Sequence, residues 1–268
     1  MRKLLRDVDL AFEESSAPEP IGALVLVHGW ACDHTYMAPL FRHFAARYRV
    51  VSVDLRGHGE SDCPAQDYTI DGFADDVAWL CDRLGIRSPV IIGHSMGGVV
   101  AYEAAARHPG LARAIVALDS PLAMDDLRVR AMRPLRRRFH APEYRELVKD
   151  HVRGMFLPTD DADMQARIVE GMSSRPQHVI ASAMEHMLLS RSASAATTPP
   201  VSVPVLAVAS AGGHMTDLDR LSRLCPGLVT GQTLDSGHFL QLQVPARVVS
   251  MIERFLENDV LQESGPNA

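Results

Sequence analysis

The stretch IIGHSMGGVV (residues 91–100) places a single serine, Ser95, between an apolar run and an alanine-rich helical pattern. Gly93 and Gly97 flank it in a G-x-S-x-G pentapeptide, which leaves the backbone room for a sharp turn. A serine at such a strand-to-helix turn is held in a strained conformation that raises its hydroxyl above the sheet. The N–H groups at the start of the following helix favour negative charge nearby. The stretch therefore predicts a nucleophile at Ser95.

Short, almost continuously apolar runs recur along the chain. Such runs are typical of strands buried on both faces of a parallel sheet. They cover residues 23–29, 50–55, 90–95, 114–120 and 203–210, and a last strand is expected within 228–234. Helical patterns separate them, notably at residues 70–85 and 97–110. The alternation of strand and helix predicts an α/β fold with a doubly wound sheet.

This alternation stops after Asp119. Residues 121–200 contain helical patterns without a good buried strand. We therefore expect a helical cap, or lid, inserted into a core formed by residues 1–120 and 201–268. Seven of the chain's twelve methionines lie in this inserted segment: Met124, Met132, Met155, Met164, Met172, Met184 and Met187. Because methionine is flexible and polarizable, the cluster fits either an adaptable lid over a hydrophobic pocket or ordinary packing of a helical subdomain.

Charge and composition narrow the functional classes. The chain has 268 residues, with 27 Lys and Arg against 33 Asp and Glu, and a net charge of −6. This balance argues against general nucleic-acid binding. We expect neither a signal peptide nor a membrane span, since no apolar run approaches roughly 18 residues. Four widely spaced cysteines favour reduced thiols in a cytoplasmic protein. No metal-ligand or nucleotide-binding pattern occurs, so we expect no metal and no cofactor.

Three more motifs accompany the pentapeptide: LVHGW (26–30), DLRGHGES (54–61) and DSGHF (235–239). Together with GHSMG they make the chain resemble the α/β-hydrolase family over about residues 20–120 and 200–257. The resemblance implies the α/β-hydrolase fold, a doubly wound and mostly parallel sheet. It also implies a helical cap inserted after strand 6, which is where residues 121–200 lie.

The resemblance also assigns roles around Ser95. His238 lies in a Gly-His-Phe turn between the last strand and the last helix, and it is the candidate base for the serine proton. The backbone N–H groups of Trp30 and Met96 correspond to the family's oxyanion hole. Their side chains are thereby free to shape the acyl pocket.

Histidine is abundant in this chain, with twelve residues, so only position and flanks distinguish one from another. His28 and His94 belong to the motifs and are expected to orient loops. The remaining histidines, including those of the inserted segment, are expected at the surface or in structural roles.

The carboxylate that should orient His238 departs from the family's commoner pattern. The usual position follows the penultimate strand, where this chain has Gly212 and Gly213. Asp217 comes a few residues later, but it opens a helical pattern, where aspartate is a common N-cap. Asp119 ends the strand after the elbow helix, where some family members place the acid. The interpretation favours Asp119, with Asp217 as the alternative.

The sequence favours a serine hydrolase that cleaves a carboxylic ester or lactone through a Ser-His-Asp acyl-enzyme mechanism. Its methionine-rich segment suggests a small-molecule, fairly hydrophobic substrate. The same fold offers alternatives: a C–C bond hydrolase, an amidase, a perhydrolase or a cofactor-free dioxygenase, although Met96 stands where those dioxygenases usually carry histidine. A hydrolase-fold binding protein without catalysis is the non-enzymatic alternative. The sequence leaves the oligomeric state open.

Overall fold

An eight-stranded sheet in the order β1-β2-β4-β3-β5-β6-β7-β8 forms the centre of the computed structural model, which describes residues 1–260. The first two strands pair antiparallel, and β2 also runs antiparallel to β4, whereas all the other pairs are parallel. The strands are β1 (Arg2–Leu5), β2 (Asp9–Ser16), β3 (Ala23–Val27), β4 (Arg49–Val53), β5 (Val90–His94), β6 (Ala114–Leu118), β7 (Val205–Ala209) and β8 (Leu228–Gln232).

Helices cover both faces of this sheet. They are α1 (Ala38–Phe44), α2 (Ile70–Arg83), α3 (Met96–Arg107), α4 (Asp126–Met132), α5 (Leu135–Arg138), α6 (Tyr144–Arg153), α7 (Ala162–Ser173), α8 (Gln177–Leu189), α9 (Leu218–Leu224), α10 (Leu240–Gln243) and α11 (Pro245–Phe255). The predicted α/β-hydrolase fold, with its doubly wound and mostly parallel sheet, is confirmed.

Burial on both faces explains why the strands are continuously apolar. In β3, Leu24 and Leu26 belong to the apolar cluster that contains residues of α1 and α11, whereas Val25 and Val27 belong to the cluster that contains residues of α2 and α3. Every residue of β5, β6 and β7 is buried. Successive side chains of a strand point to opposite faces, so covering both faces requires an apolar residue at nearly every position.

The strands predicted from apolar runs are all present. The structure also contains an edge pair, β1 and β2, that the apolar runs did not predict. Three of the four residues of β1 are exposed, so this strand has no apolar run. Strand β2 carries the polar sequence DLAFEESS, in which burial is confined to its first half. An antiparallel edge needs only one covered face, so its residues do not form a continuous apolar run.

Residues 121–200 contain helices α4–α8 and no strand. Two isolated backbone bridges join Met124, near the start of this inserted segment, to Ser194 near its end and to Thr216 in the loop after β7. The division into a core and a cap stays a prediction. The expected core range also extends to residue 268, of which residues 261–268 lie outside the described part of the chain.

Backbone segments approach one another closely where β5 turns into α3. A Cβ added to Gly97 would lie 2.2 Å from the carbonyl oxygen of Val27, and one added to Gly93 would lie 2.1 Å from the carbonyl oxygen of Gly97. Neither position has space for a side chain. The two glycines therefore let α3 start directly against the carboxyl end of β3.

Replacing Gly97 by alanine should destabilise the protein by about 3 kcal/mol or more, because the added methyl group meets strand backbone that cannot move aside. Gly22→Ala is the matched control, since its Cβ would only touch the Tyr48 ring at 3.7 Å. Urea denaturation gives both free energies of unfolding. A Gly97→Ala protein within about 1 kcal/mol of wild type would show that α3 can move away from β3 at little cost.

Candidate active site

Ser95 occupies the turn between β5 and α3 with φ 54° and ψ −120°. This left-handed conformation is rare for a residue with a side chain and carries backbone strain. The Ser95 N–H donates to the carbonyl oxygen of Leu118 at 2.8 Å, which holds the turn against the end of β6. Its side chain makes no N-cap hydrogen bond to α3, and Ser95 lines a cavity at the carboxyl edge of the sheet.

His238 lies in the loop between β8 and α10 and lines the same cavity. Its Nδ1 lies 2.6 Å from Asp119 Oδ2. A carboxylate can only accept, so the proton of the neutral imidazole is on Nδ1 and Nε2 keeps its lone pair. The His238 backbone N–H donates to the carbonyl oxygen of Met155 at 2.9 Å, so the inserted segment helps to hold this loop.

Asp119 follows β6 directly and has φ 44°. Its N–H donates to the carbonyl oxygen of Val208 at 2.7 Å, and its Oδ1 accepts from the Ser210 N–H at 3.0 Å. Burial alone would raise the pKa of this carboxyl group, but the hydrogen bond and charge of His238, together with the Ser210 N–H, outweigh burial and lower it. The carboxylate is therefore held in its charged form facing His238.

Asp217 has a different environment. It is the N-cap of α9, where its Oδ1 accepts from the Arg220 N–H at 2.8 Å. Its own N–H donates to the carbonyl oxygen of Ala123 at 2.9 Å. Asp217 does not line the cavity that contains His238. Of the two candidate acids, the structure places Asp119 against the imidazole and gives Asp217 a helix-capping contact.

The two expected oxyanion donors flank Ser95 on separate segments. Met96 is the first residue of α3, and an N–H in the first turn has no partner within its helix. Trp30 lies in the loop after β3 and lines the cavity. The loop passes close to the serine, because a Cβ added to Gly29 would lie 3.2 Å from Ser95 Cβ. The indole of Trp30 donates to the carbonyl oxygen of Ile180 at 2.8 Å.

Two buried histidines connect the loops around Ser95. His28 Nε2 accepts from the Leu55 N–H at 3.1 Å, which leaves Nδ1 to donate to the carbonyl oxygen of Gly29 at 2.8 Å. His94 Nε2 donates to the carbonyl oxygen of His238 at 2.8 Å. Burial lowers the pKa of His94 to about 3, so this ring is a neutral donor at physiological pH.

A family model for the alpha/beta hydrolase fold matches residues 22–245, which is most of the chain and includes Ser95 and His238. The protein belongs to the α/β-hydrolase family. The matched range extends from the start of β3 to the start of α11 and includes the inserted segment.

Individual relatives of this α/β-hydrolase share shorter stretches of sequence. The 2-(acetamidomethylene)succinate hydrolase of Mesorhizobium japonicum is 35% identical over 107 residues, or 40% of this chain and 37% of that protein. The chain thus matches little more than a third of that relative's length. An esterase structure from Thermogutta terrifontis has a TM-score of 0.80 at 24% identity over 94% of both chains. The enol-lactonase of Burkholderia xenovorans has a TM-score of 0.80 at 20% identity over 96% of this chain and 100% of its own. These structures share the fold.

The cavity beside Ser95 has a volume of about 380 Å³ and a largely apolar lining. Five of the seven methionines of the inserted segment line it, and Phe156 and Leu157 extend the same surface. Met215, in the loop after β7, adds a sixth methionine from outside the segment. The cavity could therefore take an apolar small molecule next to Ser95 and His238.

One cavity residue was not expected from the sequence. His151 of α6 lines the cavity, although the histidines of the inserted segment were expected at the surface or in structural roles. Its local sequence, KDHVRGM, contains no pattern that distinguishes it from a surface histidine. Only the tertiary packing of this ring against Trp30 and Phe139 brings it to the cavity.

Neither a metal centre nor a membrane-spanning helix is found among residues 1–260. No group of three or more His, Cys, Asp and Glu side chains in this range could hold a metal ion. Its helices are too short or too polar to cross a membrane. All four cysteines are free thiols, and Cys63 is the exposed one.

The lowered pKa of Asp119 predicts a loss of stability in acid. In the folded protein this carboxylate binds protons more weakly than in the unfolded chain, so it stabilises the fold above its ordinary pKa of 3.8. That contribution is lost as the pH falls through the lower pKa of the folded state. The difference in unfolding free energy between wild type and Asp119→Asn should therefore shrink below about pH 4. Urea denaturation at a series of pH values measures this difference in unfolding free energy. A difference that stays constant down to the lowest pH at which both proteins fold would contradict the prediction.

Proposed function

We propose that this α/β-hydrolase is a serine hydrolase that cleaves carboxylic esters or lactones. The observation that best supports the proposal is the 2.6 Å hydrogen bond between Asp119 and His238 beside the cavity that Ser95 lines. It leaves His238 Nε2 as a base for the serine proton, and a serine hydroxyl is a weak nucleophile without such a base. The three residues occur in the chain order Ser, Asp, His.

In the proposed acylation step, Ser95 Oγ attacks the acyl carbon and His238 Nε2 takes the hydroxyl proton. The developing oxyanion accepts hydrogen bonds from the backbone N–H groups of Trp30 and Met96. The tetrahedral intermediate then breaks its bond to the leaving oxygen, which receives the proton from His238. Asp119 stabilises the imidazolium throughout without itself becoming protonated.

Deacylation repeats the same reaction steps with water as the nucleophile. His238 takes a proton from water, the resulting hydroxyl attacks the acyl carbon, and the same N–H groups hold the oxyanion. Breaking the bond to Ser95 Oγ releases the carboxylic acid, and the proton returns to the serine. A lactone follows the same steps and yields a hydroxy acid as its single product.

The cavity lining supports a small, fairly hydrophobic substrate. Methionine side chains adapt to apolar groups of different shape, and the inserted segment contributes five of them. We propose that residues 121–200 act as the lid of the active site and set the size of the acyl or alcohol portion. Hydrolysis rates on matched esters, lactones and amides of graded length would show which type of bond is cleaved and how large an acyl or alcohol portion is accepted.

A fluorophosphonate probe should label the wild-type protein and should not label Ser95→Ala, because the probe reacts only with an activated serine. Mass spectrometry of the labelled peptide identifies the modified serine, and turnover of a chromogenic short ester measures the activity of each variant. Ser192→Ala is a control of the same chemistry, since Ser192 is a buried serine outside the cavity. A folded wild-type protein that is neither labelled nor active would favour the non-catalytic binding protein instead.

Asp119→Asn should lower kcat/KM on the same ester by roughly 10³-fold to 10⁴-fold, because the amide no longer holds the productive tautomer of His238. Asp217→Asn should stay within about 3-fold of wild type, since asparagine is an equally good N-cap. The two substitutions are chemically identical, which makes them matched controls. The opposite ranking would assign the acid to Asp217.

A further inference from the structure

The polar side chains of the cavity are distributed unevenly. Most of them belong to the core and gather around Ser95, Asp119 and His238. The inserted segment contributes ten lining residues, all apolar or glycine except His151: Pro121, Met132, His151, Gly154, Met155, Phe156, Leu157, Met172, Met184 and Met187. His151 is therefore the one polar side chain that this surface presents to a bound molecule.

Aromatic rings hold His151 in place. Its ring lies edge-on to the indole of Trp30, with 5.9 Å between centroids and an interplanar angle of 77°. The ring of Phe139 lies 5.7 Å away, and Phe139 also packs against Trp30 at 5.0 Å. The Trp30 indole is itself anchored by its hydrogen bond to Ile180. An imidazole fixed between two anchored rings loses little further freedom when it binds a ligand.

The His151 ring is uncharged at physiological pH. Burial lowers its pKa to about 4, and the charges of Arg138 and of the protonated form of His238 act in the same direction. A neutral imidazole offers one N–H donor and one acceptor nitrogen. Within residues 1–260, neither ring nitrogen of His151 has a hydrogen-bond partner. A ligand that excludes water from this ring must replace the hydrogen bonds that water makes to it, which favours a ligand oxygen at this position.

The surroundings select an uncharged partner for this ring. Among the described residues, no Lys or Arg side chain lines the cavity, whose charged member is the Asp119 carboxylate. A carboxylate on the substrate would therefore be buried near the Asp119 carboxylate with no Lys or Arg of the lining to pair with it, which is costly. A ketone, amide or hydroxyl oxygen could accept from the imidazole N–H without that cost.

We propose that His151 determines specificity by donating a hydrogen bond to a second, uncharged oxygen of the substrate, away from the bond that is cleaved. The proposal rests on the serine hydrolase function proposed above and narrows its substrate class. The preferred ester or lactone is then mainly apolar and carries one further carbonyl or hydroxyl oxygen. His151 is a binding residue here, and the proton transfers stay with His238.

The test compares p-nitrophenyl esters of plain acyl chains with esters of equal length that carry a ketone at successive carbons. Wild type should hydrolyse the best ketone ester at least about 10-fold more efficiently in kcat/KM than its plain counterpart. His151→Phe keeps an aromatic ring without the donor, so it should lower the ratio of kcat/KM for the ketone ester to kcat/KM for the plain ester to about 1, whatever it does to both rates together. His151→Asn keeps an N–H donor and should retain part of the preference. Fluorophosphonate labelling of each variant verifies that Ser95 is still activated.

An active wild type without a preference, or a preference that survives in His151→Phe, would overturn the role of His151 alone. A wild type that favours an acyl chain ending in a carboxylate would overturn it as well, because the proposal assigns an uncharged substrate oxygen to His151. A wild type that hydrolyses none of the esters and is not labelled would overturn the serine hydrolase proposal together with this one. The three failures are therefore distinguishable.

Discussion

The close backbone approach between α3 and the carboxyl end of β3 is the constraint on which the rest of the structure depends. A side chain at Gly97 would overlap the carbonyl oxygen of Val27, so the helix can start there only with glycine. This approach forces Ser95 into its left-handed turn and directs the N-terminus of α3 towards the cavity. It also brings the loop after β3, which carries Trp30, against the serine. The nucleophile and both oxyanion donors of the proposed mechanism thus share one packing constraint.

Strand register places the acid and base relative to that turn. His94 pairs with Leu118, and Leu118 pairs with Val208, so β5, β6 and β7 end at the same level. Ser95 and Asp119 consequently leave the sheet side by side. Asp119 then contacts both the backbone after β7 and the imidazole after β8. The carboxyl ends of parallel strands converge at one edge of the sheet, which is where α/β proteins bind ligands.

Interactions with the inserted segment complete the cavity. Trp30 bonds to Ile180, and an ion pair of 2.5 Å joins Asp33 of the same loop to Arg175. The His238 loop bonds to Met155 through its backbone. The segment that supplies most of the cavity's apolar surface is therefore attached to the two loops that carry the candidate oxyanion donor and base. A change in the position of the segment would be transmitted to both.

The sequence by itself determined the features that depend on local pattern. Apolar runs indicated the buried strands, and glycine spacing with turn chemistry indicated Ser95 and the His238 loop, because these signals need only neighbouring residues. Tertiary structure brought Asp119, and not Asp217, against His238, since that contact depends on the register of β6, β7 and β8. It also decided that His151 faces the cavity, because the packing of its ring against Trp30 and Phe139 sets the direction of this ring. Both outcomes join residues far apart in the chain, and no local pattern encodes such contacts.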